Sequence, residues 1–310
     1  MIIDFHTHTF PDKSSEKIVN HLAHIGCIPP HTDGSVIGLF SSMKEADIDY
    51  SVNLPVMTKP SQVEKVNSSL IQQQEYLLDM KIITFGGMHP NYTNYKEELL
   101  RLKQAGIPGI KLHPAYQNVD LDDIRMMRII DEASSQGLIT LVHAGIDIGI
   151  YDHNYSSVAQ ILKLLKEVAP EKLVLAHMGN WGRWNEVESD LAGAPVYFDT
   201  AFSYGPVTPL PDAPRAPYIS YNLHPKDFVR LVRKHGTDKI LFGTDSPWEN
   251  QQDYVKRISH MDFTKEELEQ ILSENAKKLF LFNSLRDKRP GREPLAYICD
   301  FSRYEIVVKC

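Results

Sequence analysis

The chain has 310 residues, enough for one large α/β domain or two ordinary ones. Apolar residues make up 42% and charged residues 24%, the mix of a folded globular protein rather than a disordered or membrane chain. A net charge of −7 leaves no chain-wide basic footprint for nucleic acid or anionic lipid, so the expected partner is a small molecule.

The N-terminus turns polar by Asp4 and has no basic segment ahead of a long apolar stretch. It reads as neither a signal peptide nor a membrane anchor, and the expected location is the cytoplasm. Cys27, Cys299 and Cys310 are odd in number, scattered and without a C-x-x-C pair, which argues against a disulfide framework and a thiolate zinc site. Any metal must then use histidine and carboxylate.

Eight short apolar runs predict strands over residues 1–6, 50–54, 82–88, 109–113, 138–143, 173–177, 196–200 and 239–245. Helical spacing between them predicts helices over 60–79, 95–105, 121–136, 156–168, 225–234 and 251–260. A further helix over 264–282 opens with the capping box Thr264-Lys265-Glu266-Glu267 and would close the ring. Strictly alternating elements imply a parallel sheet with right-handed crossovers, and eight such units favour a (β/α)₈ barrel. An open doubly wound sheet is the alternative, but no G-x-G-x-x-G follows the first strand. Residues 1–284 are read as one barrel, and 285–310 as an appendage packed on it or trailing from it.

Two connections are longer than a barrel needs. One spans residues 10–41; the other, 202–224, reads FSYGPVTPLPDAPRAPYISYNLH and is too proline-rich for a helix. Both follow strand C-termini, where barrel active sites are built, so both are candidate substrate lids. A rigid subunit contact is an equal reading of the second.

Polar residues recur at the ends of apolar runs: His6 and His8, His143, His177 and Asp245. Strand alternation puts Asp4, His6 and His8 on one face, which in a closed barrel is the interior. Buried ionisable groups cost several kcal/mol unless paired or coordinated, so four strands ending in His or Asp at one level call for a common partner. A divalent cation supplies it. Several imidazoles with one carboxylate suit Zn²⁺, with Mn²⁺, Fe²⁺ or Ni²⁺ as alternatives. A metal-free network of hydrogen-bonded histidines is the competing reading.

Together these stretches resemble the metal-dependent amidohydrolase superfamily, in its amidohydrolase-2 branch, which also contains decarboxylases related to aminocarboxymuconate-semialdehyde decarboxylase. The resemblance runs from Met1 to about Phe282 and rests on DFHTH, KLHP at Lys111, VHAG at His143, AHMG at His177 and FGTDSPW at Asp245. It implies that His6, His8 and His143 bind metal, and that Asp245 is a ligand or the carboxylate beside the metal-bound water. His177 binds a second ion in the two-metal branches and handles protons beside a single ion in the decarboxylase-like branch. One ion is the favoured count and two the alternative. A homodimer is a further family-level expectation.

Lys111 and His113 fall on the same side of the fourth strand, the interior in this register. A carbamylated lysine at this place bridges two metals in some relatives; otherwise Lys111 is an ammonium that must face an anionic substrate or an acidic neighbour. His113 reads as a supporting residue rather than a ligand. Weaker substrate-side candidates are His89, Arg183 and Trp248, with Arg215 in the second lid. Asp199 is placed to orient a ligand histidine.

The expected activity is hydrolysis of an amide, lactone or ester in a small molecule, with Asp245 as base and then acid and His177 steadying the oxyanion. Decarboxylation of a carboxylated substrate is the runner-up, its proton delivered by Asp245 or His177. A non-catalytic metal-binding barrel ranks last, because every expected polar position is filled.

Overall fold

The computed structural model describes residues 1–210 and 223–286. Its strands are β1 (Ile3–Thr7), β2 (Tyr50–Asn53), β3 (Ile82–Thr84), β4 (Gly86–Gly87), β5 (Gly109–Leu112), β6 (Ile139–Val142), β7 (Leu173–Leu175), β8 (Tyr197–Asp199) and β9 (Ile240–Leu241). All neighbours pair in parallel and in chain order. β3 and β4 are halves of one strand, parted at Phe85, whose N–H still reaches Asn53 O at 3.0 Å. Phe5 N donates to Phe242 O at 2.7 Å and Asp245 N to His6 O at 2.8 Å, joining the last strand to the first. The sheet therefore closes into an eight-station TIM barrel of the α/β class.

Alternation sorts the side chains into two apolar layers. Ile3, Phe5, Val52, Leu54, Ile83, Phe85, Ile139, Leu141, Val174 and Leu241 fill the interior. Ile82, Ile110, Leu112, Val142, Leu173, Leu175, Phe198 and Phe242 face outward against the helices. The helix Asn275–Arg286 supplies Ala276, Leu279 and Phe280 to the inner layer, with Phe280 5.3 Å from the Phe5 ring centre. The apolar plug fills one end of the barrel, and polar chemistry is left to the strand C-termini.

The predicted helix over 60–79 is two helices, Val63–Gln72 and Gln74–Asp79. The Gln73 amide reaches back to Ser69 O and Oγ, at 3.2 and 2.7 Å, and competes with the helical ladder there. The first long connection is not an open loop, since it carries Ser15–Gly26 and the start of Val36–Glu45. Leu210 N donates to Cys27 O at 2.8 Å, so the second long connection starts out resting on the first. Most of its proline-rich part, including Arg215, and residues 287–310 of the expected appendage lie outside the described residues. Among the described residues no helix is long and apolar enough to cross a membrane.

Candidate metal centre

The first strand departs from simple alternation. Ile3 and Phe5 point inward, so Asp4 points outward, where it accepts from Thr244 N (2.9 Å), Thr244 Oγ1 (2.5 Å) and Gln251 Nε2 (2.7 Å). An irregularity in pairing with β2 between Asp4 and Thr7 then shifts the phase, and His6 and His8 turn toward the interior. The expectation that Asp4 shares their face is thus corrected: Asp4 fastens β1 to the segment after β9.

Second contacts fix the tautomer of each imidazole. His6 Nδ1 lies 2.8 Å from Asp199 Oδ2, and His8 Nδ1 lies 2.7 Å from Leu54 O. Leu54 O can only accept, and Asp199, as a carboxylate facing the Lys111 charge, accepts too, so both Nδ1 atoms carry the proton and both Nε2 atoms present lone pairs. These Nε2 atoms are 3.2 Å apart, and Asp245 Oδ1 is 3.4 Å from the first and 3.1 Å from the second. Three acceptors converge, and the donor that meets them is the Lys111 ammonium, 3.2 Å from His6 Nε2. A divalent cation satisfies all three, and two imidazoles with a carboxylate are donors suited to zinc or manganese.

Burial, reinforced by the nearby Lys111 charge, holds His6 well below the ordinary imidazole pKa, so it is neutral and competent to ligate. Asp245 reaches this position through a left-handed backbone, φ 69°, with its N–H held by His6 O. His177, φ 59°, is turned the same way. Left-handed non-glycine residues cost about 1–3 kcal/mol each and persist where surrounding contacts enforce them, often at functional sites. Gly243 makes room for this packing, because a Cβ there would stand 2.9 Å from His6 Cβ.

The amidohydrolase family profile matches residues 3–282. The chain belongs to the amidohydrolase family. An uncharacterised TIM-barrel protein of Bordetella bronchiseptica superposes with a TM-score of 0.69 at 17% identity, covering 90% of this chain and 97% of that one. A dihydroxybenzoic acid decarboxylase from a Polaromonas species, solved with bound manganese and an inhibitor, gives 0.63 at 13% identity, covering 91% and 97%. A probable 2-pyrone-4,6-dicarboxylic acid hydrolase from Acinetobacter baumannii gives 0.60 at 18% identity, covering 90% and 98%. At these identities the likeness establishes the fold. No curated protein matches the sequence. The family is one of metal-dependent enzymes, in keeping with the donors gathered here.

In this chain a second imidazole pair meets beside the first. His177 Nδ1 donates to Ala201 O at 2.8 Å, leaving Nε2 to face His143 Nδ1 at 3.0 Å. Burial lowers the His177 pKa to about 4 and holds His143 well below its ordinary value. Lys111 Nζ is 3.2 Å from His6 Nε2, and burial lowers its pKa to about 8 against the pull of Asp199, Asp245 and Asp147. Asp199 is fully engaged, since its other oxygen accepts from His177 N (2.9 Å) and Ala201 N (3.1 Å). Burial pushes its pKa upward and Lys111 opposes that.

His113 stacks on His143, ring centres 4.1 Å apart, which puts it beside the centre and not within the converging set. His89 stands apart: its Nδ1 accepts from Asn91 N at 3.1 Å, a turn contact. Arg183 is exposed, 3.9 Å from Glu186, in an open cleft of about 450 Å³ with Trp184, His224 and Arg230. Trp248 is half-buried against the core, its N–H on Asp245 O at 2.8 Å. No hydrogen bond or ion pair among the described residues joins His89 or Arg183 to the imidazoles. Asp147 was not singled out by sequence reasoning, yet it is buried 3.6 Å from His113 Nε2 and 3.9 Å from His143 Nε2. Its only sequence signal is its place four residues after His143.

Proposed function

We propose that this amidohydrolase is a metal-dependent hydrolase cleaving an amide, lactone or ester bond in a small molecule. The observation that supports it most is the convergence of His6 Nε2, His8 Nε2 and Asp245 Oδ1 within 3.4 Å of one another. These residues would hold one divalent cation, with His143 as the further ligand that the family resemblance implies. When bound, such an ion lowers the pKa of a water and polarises a carbonyl oxygen.

The remaining work falls to the chain's own groups. Asp245 is 13% exposed, against 0% for Asp199 and 8% for Asp147, so it is the carboxylate that meets incoming water and substrate. It takes the proton from the attacking water and returns it to the leaving group. His177, its Nδ1–H held by Ala201 O, keeps an unprotonated Nε2 beside His143 Nδ1 and serves there as a proton acceptor. Lys111 balances the three carboxylates and anchors an acidic group of the substrate.

Decarboxylation is the second reading, favoured by one feature. Lys111 is a buried cation beside the imidazoles, the kind of group that fixes a substrate carboxylate. The two separate in one experiment. The protein is loaded with zinc or manganese, its bound metal is counted, and it is offered lactones, amides, esters and aromatic carboxylates. Hydrolytic products without carbon dioxide support the proposal, whereas carbon dioxide release from the carboxylates replaces it with the second reading. A protein that takes up neither metal would defeat both.

A further inference from the structure

One aromatic side chain beside the metal centre keeps its polar end free. From His6 a run of rings leads away through His177 (centres 5.2 Å apart), His143 (4.7 Å) and His113 (4.1 Å) to Tyr116 (4.5 Å), which meets His113 edge-on at 69°. Tyr116 belongs to the short helix Pro114–Gln117 that follows β5. That helix is firmly held. His113 Nδ1 accepts from Tyr116 N at 3.3 Å, and the Gln117 amide donates to Met57 O and Met88 O at 3.0 and 2.6 Å. The half-buried ring therefore has a fixed place, whereas its hydroxyl makes no hydrogen bond among the described residues.

The hydroxyl ends at the mouth of the barrel. A Cβ added to Gly149 would stand 3.4 Å from it, 3.3 Å from Asp147 Oδ1 and 2.8 Å from Cγ2 of Ile25, a residue 39% exposed. Glycine leaves that space open where the helix after β5, the loop after β6 and the helix Ser15–Gly26 come together. Burial raises the phenol above its ordinary pKa, and Asp147 and Asp245 add to the rise, so Tyr116 stays a donor. Such a donor needs an acceptor from water or from a ligand. The two carboxylates decide which ligand acceptor suits it. They repel an anion, so a substrate carboxylate belongs at Lys111 and a neutral oxygen at Tyr116.

We propose that Tyr116 is a specificity-determining residue: its hydroxyl donates to a neutral hydroxyl or carbonyl oxygen that the substrate carries beyond the bond held at the metal centre. The inference rests on the metal-dependent hydrolase reading and narrows its substrate class. The substrate is bifunctional, with an acidic group for Lys111 and a neutral oxygen for Tyr116.

The test uses zinc-loaded protein with γ-hydroxybutanoate, δ-hydroxypentanoate and ε-hydroxyhexanoate, each beside the same acid without its hydroxyl. Ligand-observed NMR gives dissociation constants of both series for the wild type and for Tyr116→Phe, which keeps the ring and its packing. For at least one chain length the hydroxyl should strengthen wild-type binding about 3- to 10-fold, the worth of one hydrogen bond. Tyr116→Phe should lose that gain and bind the plain acids as the wild type does. A hydroxyl that brings no gain at any length overturns the proposal, and so does a gain that survives in Tyr116→Phe. A variant that weakens both series equally overturns it too, since the ring then only shapes the site. Zinc analysis separates this proposal from the reading beneath it. A wild type that takes up no zinc defeats the metal-dependent reading and the proposal together, whereas equal zinc in both proteins with no hydroxyl effect defeats the proposal alone.

Discussion

Asp199 Oδ2 lies 2.8 Å from His6 Nδ1, and this contact decides which nitrogen of His6 faces the metal centre. Asp199→Asn removes the obligate acceptor, so either tautomer of His6 becomes available. The expected outcome is about 10- to 100-fold weaker metal binding. Competition with a chromogenic chelator measures it, and an unchanged affinity would show that His6 is oriented by something else.

Lys111 is the one buried cation beside the imidazoles among the described residues. Lys111→Met keeps the volume and removes the charge. For an acidic substrate, KM should rise about 10-fold or more, since charge-assisted bonds contribute about 1.5–3 kcal/mol. Steady-state kinetics on an acidic substrate and its neutral ester give the comparison. An equal effect on both would assign Lys111 to the metal centre and not to the substrate.

Gly243 is set by packing. A methyl group at this position would meet His6 Cβ at 2.9 Å and Ala201 Cβ at 3.4 Å, and neither can retreat without moving a strand. Gly243→Ala should lower stability by about 1–3 kcal/mol and reduce bound metal, because the shift falls on a ligand. Chemical denaturation and metal analysis read the two effects, and a variant that keeps full stability and full metal would disprove the packing argument.

Glu249, four residues after Asp245, predicts a pH dependence of stability. Burial pushes its pKa up to about 7 from an ordinary 4.5, although Arg257 Nη2 at 2.7 Å pulls the other way and Asp245 and Asp253 add to the rise. The folded state thus holds a proton that the unfolded chain releases. The associated stability is fully present below about 4.5 and is lost as pH rises through about 7. Wild type should lose stability between these limits relative to Glu249→Gln, by about 1–3 kcal/mol. Calorimetric melting at several pH values tests the difference. Parallel profiles for the two proteins would mean that the Arg257 pair outweighs burial.

Much of this was legible in the sequence because it depends on local chemistry. Eight apolar runs alternating with helical spacing imply a parallel barrel, and His6, His8, His143, His177 and Asp245 stand out as polar ends of apolar strands. The same alternation carried Lys111 and His113 to one side. The family followed from several short motifs read jointly.

Tertiary structure decided what alternation cannot carry. The phase of β1 changes between Asp4 and Thr7 because pairing with β2 is irregular there, so Asp4 leaves the face of His6 and His8. His177 and Asp245 reach the centre through left-handed backbones enforced by neighbouring strands. Asp147 gains its place by folding of the loop after β6, while His89 is held in a turn and Arg183 stands in solvent. Which imidazole nitrogen faces inward is set by Asp199, Leu54 O and Ala201 O, partners 193, 46 and 24 residues away along the chain. A strand's own sequence specifies which residue types end it. The direction of their lone pairs comes from acceptors that only the closed barrel brings within hydrogen-bonding distance.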